Sequence, residues 1–249
     1  MAFESDVNAR YYGALELGRR DYWRWMAAPR ARVTAVSSIL ADAPPDRLCD
    51  LGCGDGAFLS KVTQLFPQAR MTGIDRSSTQ MQLNRKEWPT VSWIVTDLDT
   101  EGSLGPELRE SFDAVTALEV IEHVSRPDLL LSHAFALARP AGRLILSTQS
   151  GPLRETERRV GHRRHFSVSE MTALLNSAGW KPLRVWNTGW PFHDLSKWIA
   201  NLFPDRAMRR YGEEAYSVQQ KIVCACLRGL FKLNSSFRGA QLYALAEKP

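Results

Sequence analysis

The sequence predicts an α/β fold in which a doubly wound parallel β-sheet is flanked by helices. The first observation is that, from Arg47 onward, short apolar segments alternate with longer amphipathic ones. The second is a glycine-rich turn, with Gly52, Gly54 and Gly56 on alternate positions between a strand-like and a helix-like segment. The hydrophobic fraction of 44% and the charged fraction of 24% are typical of a globular domain.

The predicted elements follow one another in a regular order. Strands are predicted at residues 48–51, 70–74, 91–95, 112–118, 143–147, 183–186 and 240–246. Helices are predicted at residues 58–65, 78–86, 128–138 and 167–178, the last opening on a capping box formed by Ser167 and Glu170. Residues 140–142 read Pro-Ala-Gly and predict a turn.

Two helical regions lie outside this alternation. Residues 8–43 are rich in aromatic and arginine side chains, so residues 1–45 are interpreted as an N-terminal helical lid. A helix pair that packs on the sheet edge is compatible with the same pattern. Residues 191–236 precede the last strand and predict a helical insertion, interpreted as a substrate cap or as packing helices. The alternative is an interfacial face that meets a lipid-linked substrate.

Charge and cysteine usage bear on partners and compartment. The formal net charge of +5 and the pI of about 9.2 favour an anionic substrate or surface. The four cysteines do not match a metal-ligand spacing, and Cys49 lies in a predicted buried strand, so a reducing compartment is expected. We find neither a signal-peptide pattern nor an apolar run near ~20 residues. We expect a cytoplasmic protein, with peripheral membrane contact left open.

Acidic residues indicate which cofactor the glycine-rich turn binds. Gly52 and Gly54 also fit a loose dinucleotide pattern, but Asp50 and the adjacent Asp55 would repel a pyrophosphate. This disfavours a nicotinamide-dependent dehydrogenase. S-adenosylmethionine carries a sulfonium and an ammonium, which carboxylates favour. Asp75 ends the second predicted strand and is expected at the ribose hydroxyls. Asp97 ends the third and is expected at the adenine edge.

These motifs together resemble the class I S-adenosylmethionine-dependent methyltransferases, and in particular their ubiquinone-biosynthesis O-methyltransferase-like branch. The matching stretches are residues 48–56, 73–75, 96–98, 112–124, 137–143 and 161–166. The resemblance covers roughly residues 46–187 and implies a Rossmann-like methyltransferase fold with a seven-stranded, mostly parallel sheet. It also implies that the seventh strand is antiparallel and lies between the fifth and the sixth. Residues 46–249 are therefore predicted to form the methyltransferase domain.

The resemblance also implies which residues contact S-adenosylmethionine. The expected cofactor-binding residues are Asp50, Gly52, Cys53, Gly54, Asp75, Arg76, Asp97, Leu98, Leu118 and Glu119.

Three polar residues follow the fourth predicted strand. Glu119, Glu122 and His123 are expected on one face at the opening of a helix, pointing into the cleft. With His162 they are the predicted catalytic residues. Glu119, Glu122 and His123 are also candidate metal ligands, and His162 or His165 is the candidate fourth ligand.

No metal is assigned firmly from the sequence. The resemblance to ubiquinone-biosynthesis O-methyltransferases and small-RNA 2′-O-methyltransferases implies a divalent metal that polarises the acceptor hydroxyl. The Glu-His-Val sequence is also widespread in metal-free relatives, where the histidine shapes the pocket or acts as a base. The metal-free interpretation is the favoured one.

An arginine-rich loop at residues 154–165 is expected to overhang the site. Arg159, Arg163, Arg164 and His165 are predicted to bind the acceptor, because guanidinium groups suit phosphate and carboxylate. A solvated charged loop is the alternative.

The sequence therefore predicts a methyltransferase that acts, most simply at oxygen, on a small anionic, glycan-linked or lipid-linked metabolite. A metal-dependent RNA 2′-O-methyltransferase and a non-catalytic cofactor-binding relative are the alternatives. RNA is disfavoured and DNA is not expected, since the net charge is modest and no nucleic-acid module is recognised.

Overall fold

The computed structural model describes residues 20–211 and 215–249, which contain one seven-stranded sheet with flanking helices. Its strands are β1 (Arg47–Leu51), β2 (Arg70–Asp75), β3 (Ser92–Val95), β4 (Phe112–Leu118), β5 (Ala138–Gln149), β6 (Lys181–Thr188) and β7 (Gln241–Glu247). The described helices are α1 (Arg20–Trp25), α2 (Ala27–Asp42), α3 (Ala57–Leu65), α4 (Ser78–Glu87), α5 (Pro127–Leu137), α6 (Glu155–Arg159), α7 (Val168–Ser177), α8 (Phe192–Leu202), α9 (Pro204–Tyr211) and α10 (Val218–Phe231).

The strand order in the sheet is β3-β2-β1-β4-β5-β7-β6. Strands β1 to β5 pair in parallel, whereas β7 pairs antiparallel with both β5 and β6. The predicted α/β fold and the antiparallel position of the seventh strand are both confirmed. Because β1 lies between β2 and β4, the strand order reverses there, and a ligand-binding crevice is expected outside the carboxyl ends of these strands.

Alternating residues of the central strands face two hydrophobic cores. Leu48 of β1 packs with side chains of α2, α3 and α4, whereas Cys49 and Leu51 pack with those of α5 and α7. Leu48, Cys49 and Leu51 are fully buried, as expected of a strand that is covered on both faces. The capping box predicted at Ser167 is confirmed, since its hydroxyl accepts the N–H of Glu170 at 3.2 Å.

The turn predicted at residues 140–142 lies inside β5, which begins earlier than the sequence indicates. The strand is irregular there, because the register of its pairing with β4 shifts between Ala138 and Arg143. Ala141 has a φ of 60°, and its N–H donates to the carbonyl of Lys248, whose N–H donates to Gly142. Pairing with the segment after β7 therefore keeps an unfavourable Pro-Ala-Gly sequence within the strand.

Helices from both ends of the chain pack together. The insertion predicted at residues 191–236 contains α8, α9 and α10, and α10 lies against α2. Cys224 Sγ of α10 is 4.0 Å from Met26 Sδ, beside the start of α2. Residues 8–19 of the predicted N-terminal helices lie outside the described residues, so the lid and domain boundaries remain predictions. None of the described helices has the length and apolar composition needed to cross a membrane.

Packing at Gly73 gives a prediction on stability. A Cβ added there would lie 2.5 Å from Trp93 Cζ3 and 2.9 Å from Cys53 Sγ, both in the core. We expect Gly73→Ala to lower the free energy of unfolding by about 1–3 kcal/mol through overpacking. Gly229→Ala is the matched control, because a Cβ on this helical glycine meets no atom within 4 Å. It should be neutral or stabilising by up to about 1 kcal/mol. Urea denaturation measures both, and equal destabilisation would contradict the packing argument.

Candidate active site at the carboxyl edge of the sheet

The glycine-rich turn connects β1 to α3 at the crevice. Gly52, Gly54 and Gly56 have φ values of 67°, 51° and 71°, a region that favours glycine. The N–H groups of Gly52 and Cys53 donate to the carbonyl of Ile74, which fastens the turn to β2. A Cβ at Gly54 would meet no atom within 4 Å, so the turn is open to a ligand at that position.

Both peptide groups of Gly54 are held by side chains. Asp75, at the end of β2, accepts the N–H of Gly54 at 3.0 Å through Oδ2 and the N–H of Ser77 at 3.0 Å through Oδ1. Asn84 of α4 donates to the Gly54 carbonyl at 2.9 Å. Asp75 therefore lies directly beside the open turn, followed by the exposed Arg76.

Asp50 lies beneath the turn and is only 3% exposed. Burial raises its pKa to about 7, although its hydrogen bond from Thr116 Oγ1 at 2.6 Å opposes that shift. Near neutral pH the carboxyl is thus only partly ionised. Asp50 would therefore repel a pyrophosphate less strongly than a fully ionised acid. The carboxylate of Asp55 accepts a hydrogen bond from Trp23 Nε1 of α1.

The third predicted acid, Asp97, is exposed after β3 and accepts the N–H of Asp99 at 3.0 Å. Leu98 and Cys53 are buried side chains. Their contribution to a cofactor site would therefore come from the backbone or from the pocket wall.

Glu119 is the most highly bonded side chain of the site. Its Oε1 accepts hydrogen bonds from Ser147 Oγ at 3.0 Å and Gln241 Nε2 at 2.9 Å. Its Oε2 accepts one from Gln149 Nε2 at 2.5 Å and lies 3.3 Å from the guanidinium of Arg32. Burial alone would raise the pKa of Glu119, but Arg32 and the two amides lower it to about 2. Glu119 is therefore an anion at neutral pH, its side chain 16% exposed, directly after the half-buried Leu118.

The helix face predicted for Glu119, Glu122 and His123 is wrong. These residues form a turn, and α5 begins only at Pro127. Glu119 has a φ of 57°, which turns the chain as it leaves β4. Asp99 accepts the N–H groups of Ser125 and Arg126 and so holds the chain immediately before the helix. Glu122 and His123 nevertheless converge, whereas Glu119 lies outside the group that they form with His162.

Glu122, His123 and His162 come together although they are distant in sequence. One ligand atom from each lies within 4.8 Å of the others. The imidazole rings of His123 and His162 are 4.6 Å apart at their centroids and nearly perpendicular. Glu122 is fully buried, with Oε2 accepting a hydrogen bond from Thr148 Oγ1 at 2.7 Å. Its Oε1 has no hydrogen-bond partner among the described residues.

The pKa values of this cluster determine its charge. Burial, together with the nearby Glu119 carboxylate, raises the pKa of Glu122 to about 8, so the acid is mostly protonated at pH 7. Burial lowers the pKa of His123 to about 4, although its hydrogen bond to Gly161 opposes that. Burial and His123 lower the pKa of His162 to about 2. The cluster is neutral overall and presents two unprotonated imidazoles.

Of the residues predicted to bind the acceptor, His165 is nearest to this cluster. Its Nε2 is 3.1 Å from His162 Nδ1 and its Nδ1 is 3.1 Å from the Gly151 carbonyl, which orients the His162 ring. The backbone N–H of Arg163 donates to the Glu122 carbonyl. The guanidinium of Arg164 donates to the carbonyl of Ser125, which lies just before α5.

Arg159 lies apart from them. It belongs to α6, a short helix in what was predicted as a loop, and it is paired at the surface with Glu155 and Asp205. The assignment of the four residues to acceptor binding stays a prediction.

Several residues of the site carry no signal in the sequence. Arg32, Asn84, Gln149, Lys197 and Gln241 occur in no motif, and each contacts the site from a different element. Lys197 of α8 donates to Gln149 Oε1 at 2.7 Å and lies 3.2 Å from Glu157. A capping or periodicity pattern cannot identify such contacts, because their partners are between 30 and 122 residues away in the chain.

The chain is similar in sequence to known methyltransferases. A family model described as a methyltransferase domain matches residues 22–215. The ubiquinone biosynthesis O-methyltransferase of Rhodopseudomonas palustris (strain BisA53) is 33% identical over 102 residues, which are 41% of this chain and 39% of that protein. The trans-aconitate 2-methyltransferase of Azoarcus sp. (strain BH72) is 30% identical over 118 residues, which are 46% of this chain and 45% of that protein. The chain thus spans less than half the length of these curated relatives.

Solved structures extend the similarity to nearly the whole chain. The N-methyltransferase NodS from Bradyrhizobium japonicum WM9, in complex with S-adenosyl-L-homocysteine, superposes with a TM-score of 0.61 at 18% identity. The superposition covers 98% of this chain and 100% of that one. At this identity the likeness shows the fold alone. The family model, however, matches well over half of the chain, and this chain therefore belongs to the class I S-adenosylmethionine-dependent methyltransferase family.

Proposed function

We propose that this protein transfers the methyl group of S-adenosylmethionine to a hydroxyl oxygen of a small anionic, glycan-linked or lipid-linked acceptor. The observation that carries the proposal is the neutral cluster of Glu122, His123 and His162, one turn beyond β4 in the crevice that the glycine-rich turn also borders. A hydroxyl acceptor must lose a proton during transfer, and this cluster offers the groups that can promote the loss.

The cofactor would lie across the ends of β1 and β2. Gly54 leaves room for it against the backbone, and Asp75 supplies carboxylate oxygens for the ribose hydroxyls. The anionic Glu119 would stabilise the positive end of the cofactor electrostatically. Arg32 Nε is buried and has no hydrogen-bond partner among the described residues, so it is available to the carboxylate of the cofactor.

The cluster fits a divalent metal better than it fits a general base. An imidazole with a pKa of about 4 or about 2 is a weak base at pH 7, whereas the unprotonated imidazole is the form that ligates metals. Glu122 adds a buried oxygen that lacks a partner. A metal bound there would act as a Lewis acid on the acceptor hydroxyl. Glu119, occupied by Arg32 and the amides, is left out of the proposed ligand set.

Neighbouring side chains would hold the proposed metal ligands in place. His165 orients His162, and Thr148 orients Glu122.

The names of the relatives support oxygen as the acceptor atom, since ubiquinone biosynthesis O-methyltransferases recur among them. The name of the trans-aconitate 2-methyltransferase supports a small anion as the acceptor.

Loss of the Asp75 carboxylate should weaken cofactor binding. Hydrogen bonds to a charged group contribute about 1.5–3 kcal/mol, so we expect Asp75→Ala to raise the Kd for S-adenosylmethionine by about 10- to 100-fold. Asp46→Ala is the control, because Asp46 is an exposed acid at the opposite end of β1. Isothermal titration calorimetry measures both. An unchanged Kd for a folded Asp75→Ala protein would contradict the assignment.

Metal binding should depend on His162 and on pH. We expect Mn²⁺ to bind in a single site, detected by loss of the free-ion EPR signal, and His162→Ala to weaken it more than about tenfold. Binding must release the Glu122 proton. The affinity should therefore fall as the pH is lowered below about 8, by up to about tenfold per unit.

A remote histidine provides the control for this experiment. His133→Asn should leave Mn²⁺ affinity unchanged, because His133 belongs to α5 and contacts the Thr100 carbonyl instead. If wild-type protein binds no Mn²⁺, or if His162→Ala binds it equally well, the metal proposal is wrong and His123 becomes the residue to test as a base.

The acceptor atom can be tested with labelled cofactor. The protein is incubated with methyl-tritiated S-adenosylmethionine and with matched hydroxyl, carboxylate and amine acceptors. We expect tritium in the hydroxyl compounds, as their methyl ethers. A short RNA in the same panel tests the RNA alternative. Transfer confined to amines would overturn the assignment to oxygen, and transfer confined to RNA would overturn the assignment to a small molecule.

A further inference from the structure

Helix α8 has the reverse polarity of an ordinary surface helix. Leu195, Trp198, Ile199 and Leu202 recur at helical spacing, and each is about half exposed, between 48% and 51%. A surface helix normally buries such a stripe and leaves its polar residues in water. Here the apolar stripe is the exposed one.

The polar face of α8 is turned inward because it is bonded to the active site. Lys197 contacts Gln149, which in turn binds Glu119. Asn201 accepts the N–H of Thr156 at 3.0 Å. Rotating the helix to bury its apolar stripe would break these hydrogen bonds. It would also separate Lys197 from the buried carboxylate of Glu157, 3.2 Å away.

Helix α10 and the residues after it extend the exposed apolar surface. The exposed large apolar side chains there are Val218, Ile222, Val223, Leu230, Leu233 and Phe237. The two regions adjoin, since α8 packs against α10 and Phe192 donates its N–H to Asn234. In the described part of the chain, twelve of the seventeen exposed large apolar residues lie between Trp190 and Phe237. Such clustering marks an interaction surface, whereas scattered exposed residues are ordinary.

The charge of this region indicates its partner. Residues 190–238 contain eight Lys and Arg against four Asp and Glu, and residues 218–238 contain four basic residues and no acidic one. Arg228 and Lys232 of this stretch are exposed. A second copy of the chain would bring like charges together, whereas a phosphate-bearing surface would be attracted. A nucleic acid would pair with the basic residues through its phosphates but would not bury the apolar side chains.

We propose that this surface, the outer apolar face of α8 and α10 with its basic residues, docks on an anionic lipid bilayer. The helices have 11 and 14 residues, less than the ~20 needed to span a bilayer, so they would lie in the plane of the interface. Tryptophan and phenylalanine side chains suit the headgroup level, and lysine and arginine attract anionic lipids. Docking would bring the crevice, which α8 contacts through Lys197, to the membrane surface.

Vesicle co-sedimentation tests the proposal with the full chain and no cofactor or acceptor, so its outcome is independent of the proposed reaction. We expect binding to vesicles of phosphatidylcholine mixed with phosphatidylglycerol, and weaker binding to phosphatidylcholine alone. Trp198→Gln combined with Leu202→Gln should weaken binding at least about tenfold. Arg228→Gln combined with Lys232→Gln should weaken binding to the mixed vesicles only.

The control is a pair of exposed leucines away from this region, Leu65→Gln with Leu183→Gln, which should bind like the wild type. Circular dichroism and S-adenosylmethionine affinity verify that every variant is folded. Absence of vesicle binding, or equal loss in the control pair, would overturn the proposal. So would concentration-dependent self-association that the Trp198 and Leu202 changes abolish, because it would assign the face to a second copy.

Discussion

The buried carboxylate of Glu119 is the interaction on which the rest of the site depends. It joins α2 through Arg32, β5 through Ser147 and Gln149, and β7 through Gln241, at the exit of β4. A buried charge that loses its partner destabilises a protein by about 3–5 kcal/mol, so these elements are mutually dependent. The anion therefore connects α2 to the exit of β4 and places a negative charge there.

That charge also affects the protonation of Glu122. Burial is the main reason that the pKa of Glu122 is raised, and the ionised carboxylate of Glu119 nearby raises it further. Two glutamates three residues apart thus have opposite charge states. In our proposal the same division separates their roles, with Glu119 facing the cofactor cation and Glu122 kept for a ligand that can displace its proton.

The position of the glycine-rich turn beside Asp75 could be predicted from the sequence, because its signals are local. A glycine turn and an acid at the end of the next strand, Asp75, belong to consecutive elements whose periodicity is clear. The acceptor half could not be predicted in the same way. The Glu119–His123 spacing indicated a helix face, but a left-handed Glu119 and the cap supplied by Asp99 delay the helix to Pro127. Contacts such as that of Arg32 with Glu119 depend on tertiary packing alone.

Helix α8 shows how the site determines the outside of the molecule. Its inner positions must carry polar groups, because Lys197 completes the network around Gln149. An amphipathic helix whose polar face is committed inward has only its apolar face left for the surface. Such a face is unfavourable in water unless something covers it. The reversed polarity of α8 follows from its two neighbours in our proposal: the polar network around Gln149 on the inner side, and an apolar membrane interior on the outer side.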